Sequence, residues 1–340
     1  MLVCKIKKDF KNFKLDVDFE MENESLGLLG ASGSGKSLTL KAIGGLINPD
    51  SGKIILNGRT LFDSEKKINL RPQDRRVGYL FQDYALFPNF TVEENVRAGL
   101  REKADITDKL KEMQIYDIKD KLPAYISGGE RQRTALCRIL VNKPDILLLD
   151  EPFSALDEFL KNSIEAEVLN IIRKYDLKTI LVSHNKDEVY RMCDNIISIS
   201  NGRSGEKKET KDFFENPATI TEAKLIGINN FSDFEKGEDG IFLKAWGIRL
   251  NGAIKAHGKI CALRSEDIFL SDRVIDYNSI RIKDFRLIEN IESFLVILNQ
   301  DNKKYDDLRI EIKKEAYKEL QDGPKYFTIY PRKLLFLKEE

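Results

Sequence analysis

Residues 30–37 read Gly-Ala-Ser-Gly-Ser-Gly-Lys-Ser, with the short apolar run Ser25–Leu29 before them and apolar residues at helical spacing after them. The stretch matches G-x-x-x-x-G-K-[ST] in full, and it constrains the fold more than any other feature of the chain. Glycines let the backbone curl until several N–H groups point inward, and the helix that follows presents its positive end. Gly30, Ala31, Ser32, Gly33, Ser34, Gly35, Lys36 and Ser37 therefore read as a cradle for a polyphosphate, and a flexible connector is the weaker alternative. Lys36 would reach the β- and γ-phosphates, and the Ser37 hydroxyl would ligate Mg²⁺.

A strand leading in and a helix leading out imply an open α/β sheet, and the rest of the first 225 residues agrees. Residues 2–21 alternate apolar and polar side chains, as paired strands with one solvated face do. The helix opened by Lys36 is expected to run to the stop signal Asn48-Pro49-Asp50, and Asn57-Gly58 reads as a hairpin turn. "DILLLDEP" and "KTILVSHN" are buried strands, separated by helical stretches such as residues 126–143. Buried apolar strands alternating with helices predict a parallel sheet. At 340 residues the chain is long enough for two domains. After about residue 225 short strand-like segments separated by Gly, Asp and Asn predict a small β domain of barrel type over 226–340.

Lys+Arg and Asp+Glu both number 56, so nothing overall points to nucleic acid as a partner. Cys4, Cys137, Cys193 and Cys261 lack metal-ligand spacing and read as incidental thiols of a reduced, cytosolic chain. The first residues carry lysines without the apolar stretch of a secretory signal. No run approaches the ~18 apolar residues of a membrane span, so a membrane role would be played through a partner.

The strand in "DILLLDEP" ends in Asp150-Glu151, and an acid at the carboxyl end of a buried strand lies where open α/β sheets bind ligands. Asp150 would hold Mg²⁺ through water and Glu151 would polarise the attacking water. A helix-capping acid pair is the bland alternative, and the phosphate loop upstream weighs against it.

Further motifs carry a family resemblance. "ISGGERQR", with Ser127-Gly128-Gly129 opening a helix, resembles the signature of ATP-binding-cassette (ABC) ATPases. Gln82 falls where that family has its Q-loop, Ser154 to Asp157 resemble its D-loop, and His184 in "ILVSHNKDEV" resembles its switch. The resemblance covers residues 1 to about 225, with a helical subdomain at about 85–140. It implies an α/β P-loop fold that binds ATP and Mg²⁺ and works as a homodimer, or as a pair with a paralogous cassette, each signature completing the other's ATP site. Ser127, Gly128 and Gly129 would then face the γ-phosphate, beside Glu130 where the family usually has Gln. His184 would contact the γ-phosphate, Gln82 would serve metal and water, and Asp157 would belong to the nucleotide-binding set. An aromatic ring stacks on adenine in this family; Phe10 stands at about that place, with Phe13 as its competitor. His257 has no motif around it.

Only 45 residues separate Gln82 from Ser127, too few for a long coiled-coil insertion. "NFTVEENVRAGL" resembles the part of importer ATPases that receives a membrane subunit. "FFENPATITEAKLIGINNF", "LKAWGIRL" and "ICALRSEDIFL" resemble the molybdate and sulfate branch, whose C-terminal domain is a TOBE/Mop-like, OB-like barrel. The resemblance implies an ATPase at the cytoplasmic face of the cell membrane, serving integral-membrane permease subunits and, indirectly, an external oxyanion-binding protein. Its cargo would be molybdate or tungstate, then sulfate, then iron(III), a sugar or a polyamine. A soluble ATP-switched regulator or assembly factor is the alternative of another class.

Overall fold

A computed structural model of the chain describes residues 1–154, 158–252, 254, 256–298, 305–320 and 323–338, with the side chains of 158–160 outside the description. The chain divides into two compact units, Met1–Lys211 and Asp212–Glu340. The division lies ahead of residue 225, where the change in sequence texture placed it.

The first unit holds β1 (Leu2–Phe10), β2 (Phe13–Met21), β3 (Ser25–Leu29), β4 (Ser51–Leu56), β5 (Arg59–Asp63), β6 (Ile68–Asn69), β7 (Val77–Leu80), β8 (Ile146–Asp150), β9 (Thr179–Val182), β10 (Asn195–Ser200) and β11 (Arg203–Glu209). They form one 11-stranded sheet in the order β6-β5-β4-β1-β2-β11-β10-β3-β9-β8-β7. β10, β3, β9, β8 and β7 form a continuous parallel run, and β11 meets β2 in one further parallel pairing, Arg203 opposite Asp16, so the expected parallel sheet is one half of a mixed one. The other half is an antiparallel wing, β6 to β2, joined to β10 through β11. Burial explains the split. β8 and β9 are buried throughout and apolar apart from Asp150 and Thr179 at their ends, as strands covered on both faces must be. β2 alternates buried and exposed positions, the mark of one solvated face. Each Leu or Ile buried in the sheet's core, such as Leu26, Leu148 and Ile180, contributes roughly 1.5–3 kcal/mol.

Helices α1 (Lys36–Gly44), α2 (Val92–Arg97), α3 (Thr107–Glu112), α4 (Gly128–Leu140), α5 (Glu158–Lys174) and α6 (Lys186–Met192) complete this unit. α2, α3 and α4 lie in the stretch between β7 and β8, and α2 packs on α4. α1 stops at Gly45, ahead of the expected Asn48-Pro49. Gly45 adopts φ 80° and its N–H bonds back to Ala42 O, while Leu46 N–H bonds to Lys41 O, the paired closure of a Schellman motif. The fully buried Arg75 finishes the cap. Its Nη1 donates to Ala42 O and Ile43 O at 2.8 and 2.9 Å, Nε to Leu70 O, and Nη2 to Asn69 Oδ1. Burial lowers its pKa to about 10, so it stays charged at neutral pH.

The second unit is β-rich. α7 (Thr210–Glu215) carries the boundary, and α8 (Ile220–Leu225) follows. Then come β12 (Asn230–Gly237), β13 (Gly240–Leu243), β14 (Ile248–Asn251), β15 (Ile260–Leu263), β16 (Ile268–Ser271), β17 (Ser279–Arg281), β18 (Arg286–Glu289), β19 (Ser293–Leu298), β20 (Leu308–Lys313), α9 (Lys314–Lys318), β21 (Tyr326–Ile329) and β22 (Leu335–Leu337). Antiparallel ladders gather them into three sheets, β14-β13-β12-β15-β22, β16-β21-β17 and β18-β19-β20. One apolar cluster joins the three, with Trp246, Leu263, Val296, Phe327 and Leu337's neighbour Phe336 among its members. Among the described residues no helix is long and apolar enough to cross a membrane.

Candidate active site

β3 ends at Leu29 and α1 begins at Lys36, so residues 30–35 form the loop between a central parallel strand and a helix N-terminus. Two glycines are dictated by sterics. Gly35 sits at φ 111°, and a Cβ there would come within 2.8 Å of Leu15. A Cβ on Gly30 would lie 2.2 Å from Ile199 O, on the neighbouring strand β10. Lys36 is buried and folds over its own loop, its Nζ donating to Gly30 O at 2.7 Å and Ala31 O at 2.8 Å. Burial lowers its pKa, while the charges of Glu151 and Asp150 pull the other way. The Ser34 hydroxyl is buried in the loop and has no hydrogen-bond partner among the described residues, a donor suited to a phosphate oxygen.

Across the loop lies Asp150, buried at the carboxyl end of β8. Its Oδ1 accepts the Ser37 hydroxyl at 2.7 Å, and its Oδ2 accepts the Tyr79 hydroxyl at 2.7 Å. Sequence reasoning paired Ser37 with Asp150 and missed Tyr79. A phenol in the apolar strand "VGYLF" was the available signal. The donor set at this corner, a hydroxyl and a carboxylate, is all hard oxygen and fits Mg²⁺. Gln82 lies two residues beyond β7 and is exposed; among the described residues no bond joins it to this pair.

Glu151 adopts φ 49°, a left-handed conformation that costs a non-glycine residue about 1 kcal/mol or more and clusters at functional sites. Its N–H bonds to Val182 O on β9 at 2.9 Å. This turn brings Oε2 to 3.4 Å from Nδ1 of His184, which is largely exposed. The residues flanking His184 are pinned. Ser183 Oγ donates to the buried Glu188 at 2.5 Å and accepts the Asn185 N–H at 2.9 Å. Glu188 also pairs with Lys161 of α5. Glu188 and Lys161 were not found from sequence, since an acid and a base 27 positions apart on two helices carry no local pattern.

Ser127 is the N-cap of α4 and forms a reciprocal capping box. Its N–H donates to the Glu130 carboxylate at 2.6 Å, and its hydroxyl accepts the Glu130 N–H at 3.3 Å. Gly128 and Gly129 stand at the first two helical positions, where N–H groups have no partner within the helix. No bond among the described residues joins this tip to the phosphate loop of the same chain. Of the two aromatics, Phe13 is the one that reaches the loop: a Cβ on Gly35 would lie 3.1 Å from its ring. Phe10 packs beside Phe13, ring centroids 6.2 Å apart, and lies under Lys8. Asp157 lies outside the described residues. Buried Cys137 and Cys261 have their thiol pKa pushed up to about 12, and burial raises Cys4 and Cys193 as well, so all four are inert at neutral pH.

The ABC transporter family model matches residues 12–154. The chain is 36% identical over 283 residues to the molybdate/tungstate import ATP-binding protein WtpC of Thermococcus kodakarensis, covering 80% of this chain and 83% of that one. The chain belongs to the ABC importer ATPases. A second member, the glucose import ATP-binding protein GlcV of Saccharolobus solfataricus, is 32% identical, with 82% of each chain covered. The solved dimeric structure of MJ0796, a bacterial ABC transporter cassette, aligns with a TM-score of 0.52 at 25% identity, over 62% of this chain and 99% of that one. An ABC importer ATPase binds and hydrolyses ATP in support of transport, and the phosphate loop, Asp150, Glu151 and His184 lie together in this one.

Proposed function

We propose that this ABC importer ATPase closes as a homodimer around ATP and powers uptake of an oxyanion, molybdate or tungstate, through a separate membrane permease, from the cytoplasmic face of the membrane. The observation that carries the ATPase reading is the cluster at the sheet's carboxyl edge. There Ser37 bonds to Asp150 and Glu151 lies 3.4 Å from His184, both beside the loop that Lys36 closes.

In this reading Lys36 leaves its two carbonyls for the β- and γ-phosphates, and the loop N–H groups and Ser34 hydroxyl receive phosphate oxygens. Ser37 and Asp150, with Gln82, would hold Mg²⁺, which neutralises phosphate charge when bound. Glu151 takes a proton from the attacking water, and His184 steadies the γ-phosphate. The second copy supplies the α4 tip. Its capping box already uses the N–H groups of Ser127 and Glu130, which leaves those of Gly128 and Gly129 for the γ-phosphate. The acid in place of the family's Gln therefore points back into its own helix cap. Asp157 would line the same interface, and an aromatic, Phe13 or Phe10, would stack on adenine.

The cargo reading rests on likeness. A match covering 80% of the chain cannot be confined to the first unit of 211 residues, so the resemblance to the molybdate/tungstate protein extends into the β-rich unit. That unit would be the TOBE/Mop-like, OB-like barrel of the oxyanion branch, and an external oxyanion-binding protein would deliver the cargo. The glucose protein matches over a similar share, so a sugar is the second reading. Reconstitution of the chain with its permease decides between them. ATP-dependent uptake of molybdate or tungstate supports the proposal, and uptake of glucose in their place overturns the cargo reading.

A further inference from the structure

β7 contributes an unusual polar group to the metal side of the site. Val77, Gly78 and Leu80 are small or apolar, and Tyr79 is the strand's one side chain with a hydroxyl. β7 runs parallel to β8 with Tyr79 opposite Leu148 and Leu80 opposite Leu149. The phenol is long enough to reach forward along the neighbouring strand, and its oxygen meets Asp150 Oδ2 at 2.7 Å.

The ring is held from two directions. It lies against Gly44, at the end of α1, where a Cβ would come within 3.1 Å of Tyr79 Cδ2. Its centroid is 4.4 Å from that of Phe81. A phenol has only two side-chain torsions, so packing on both sides leaves its hydroxyl little freedom. Asp150 is thereby fixed at both oxygens: Ser37, on the first turn of α1, bonds to Oδ1, and Tyr79 bonds to Oδ2. The Tyr79 bond is charge-assisted and sets the plane of the carboxylate, so that Oδ1 remains the oxygen turned toward Ser37 and the phosphate loop.

We propose that Tyr79 is a positioning residue for the metal-side carboxylate: its hydroxyl holds Asp150 Oδ2 so that Oδ1 and the Ser37 hydroxyl face Mg²⁺ together. This rests on the reading of Asp150 as the metal-side acid. A carboxylate free to rotate must be reordered each time the cation binds, so loss of the phenol oxygen weakens Mg²⁺ without touching the phosphate grip of the loop.

The test uses the full chain, Tyr79→Phe, and a fluorescent ATP analogue. The substitution keeps the ring between Gly44 and Phe81, and a thermal melt beside the unaltered chain verifies folding. Analogue affinity is measured in EDTA and then during a Mg²⁺ titration. The expected result is unchanged affinity in EDTA and a half-saturating Mg²⁺ concentration raised about ten- to a hundredfold, the scale of one charge-assisted bond. A Mg²⁺ titration equal to that of the unaltered chain, or one showing tighter Mg²⁺, overturns the inference. So does a loss of affinity in EDTA, which would make Tyr79 a support of the loop as a whole. Asp150→Asn separates the two levels. It should abolish the Mg²⁺ response, and if it does not, the assignment of Asp150 has failed ahead of that of Tyr79.

Discussion

The Glu130 carboxylate accepts the backbone N–H of Ser127 at 2.6 Å, and the Ser127 hydroxyl accepts the N–H of Glu130 at 3.3 Å. The same two residues thus start a helix and frame its tip, where Ser127 is exposed, Gly128 half-buried and Gly129 buried. At a position proposed to meet a triphosphate, the Glu130 carboxylate is directed to a backbone donor of its own helix cap.

Glu130→Gln keeps a side-chain acceptor in the box and is expected to leave stability nearly unchanged, whereas Ser127→Ala costs about 1 kcal/mol. Urea denaturation of both variants checks this. The bond to the Ser127 N–H holds the Glu130 carboxyl below its ordinary value of 4.5. A depressed folded pKa gives stability that is present above 4.5 and lost as pH falls through the folded value. The stability gap between Glu130→Gln and the unaltered chain should therefore change only below about pH 4.5, the ordinary carboxylate value.

Lys36→Ala should abolish nucleotide binding in a fluorescent-analogue titration, because the loop loses the one buried cation folded over it. Unchanged binding would refute the phosphate-loop assignment.

Glu151→Gln is expected to lower ATP turnover by about 10²–10⁴, the usual contribution of a general base, while nucleotide binding persists. Size-exclusion chromatography with ATP should then show an accumulated dimer. A variant that stays monomeric under those conditions would count against closure around ATP.

Arg75→Met should destabilise the first unit by roughly 3 kcal/mol or more, since the C-terminal carbonyls of α1 lose their buried donors. Arg75→Lys should recover little of this, because a point-like ammonium cannot serve Leu70, Asn69, Ala42 and Ile43 at once. Chemical denaturation of both variants reads the difference.

What could be read from sequence was what is local. The phosphate loop, the strand ending in Asp150-Glu151 and the Asn57-Gly58 hairpin (φ 50° and 78°) each depend on neighbours within a few residues, and each forms where the residues placed it. The end of α1 did not follow, because Leu46 and Ile47 continue the apolar spacing beyond the turn that Gly45 and Arg75 impose. The antiparallel wing was legible as strands, but its attachment through β11 was not, since pairing between strands far apart in the chain leaves no trace in either segment. Phe13 against Phe10 and Tyr79 against Asp150 are likewise tertiary facts. In the second unit most strand segments were recognisable from alternation, and their division into three sheets was not.

Lys36 already has two partners in Gly30 O and Ala31 O, and this sets a threshold for whatever enters the loop. An anion must offer the ammonium more than two backbone carbonyls do before the side chain will change allegiance. On the proposed reading, the phosphoryl oxygens replace both carbonyls when Lys36 turns to the nucleotide.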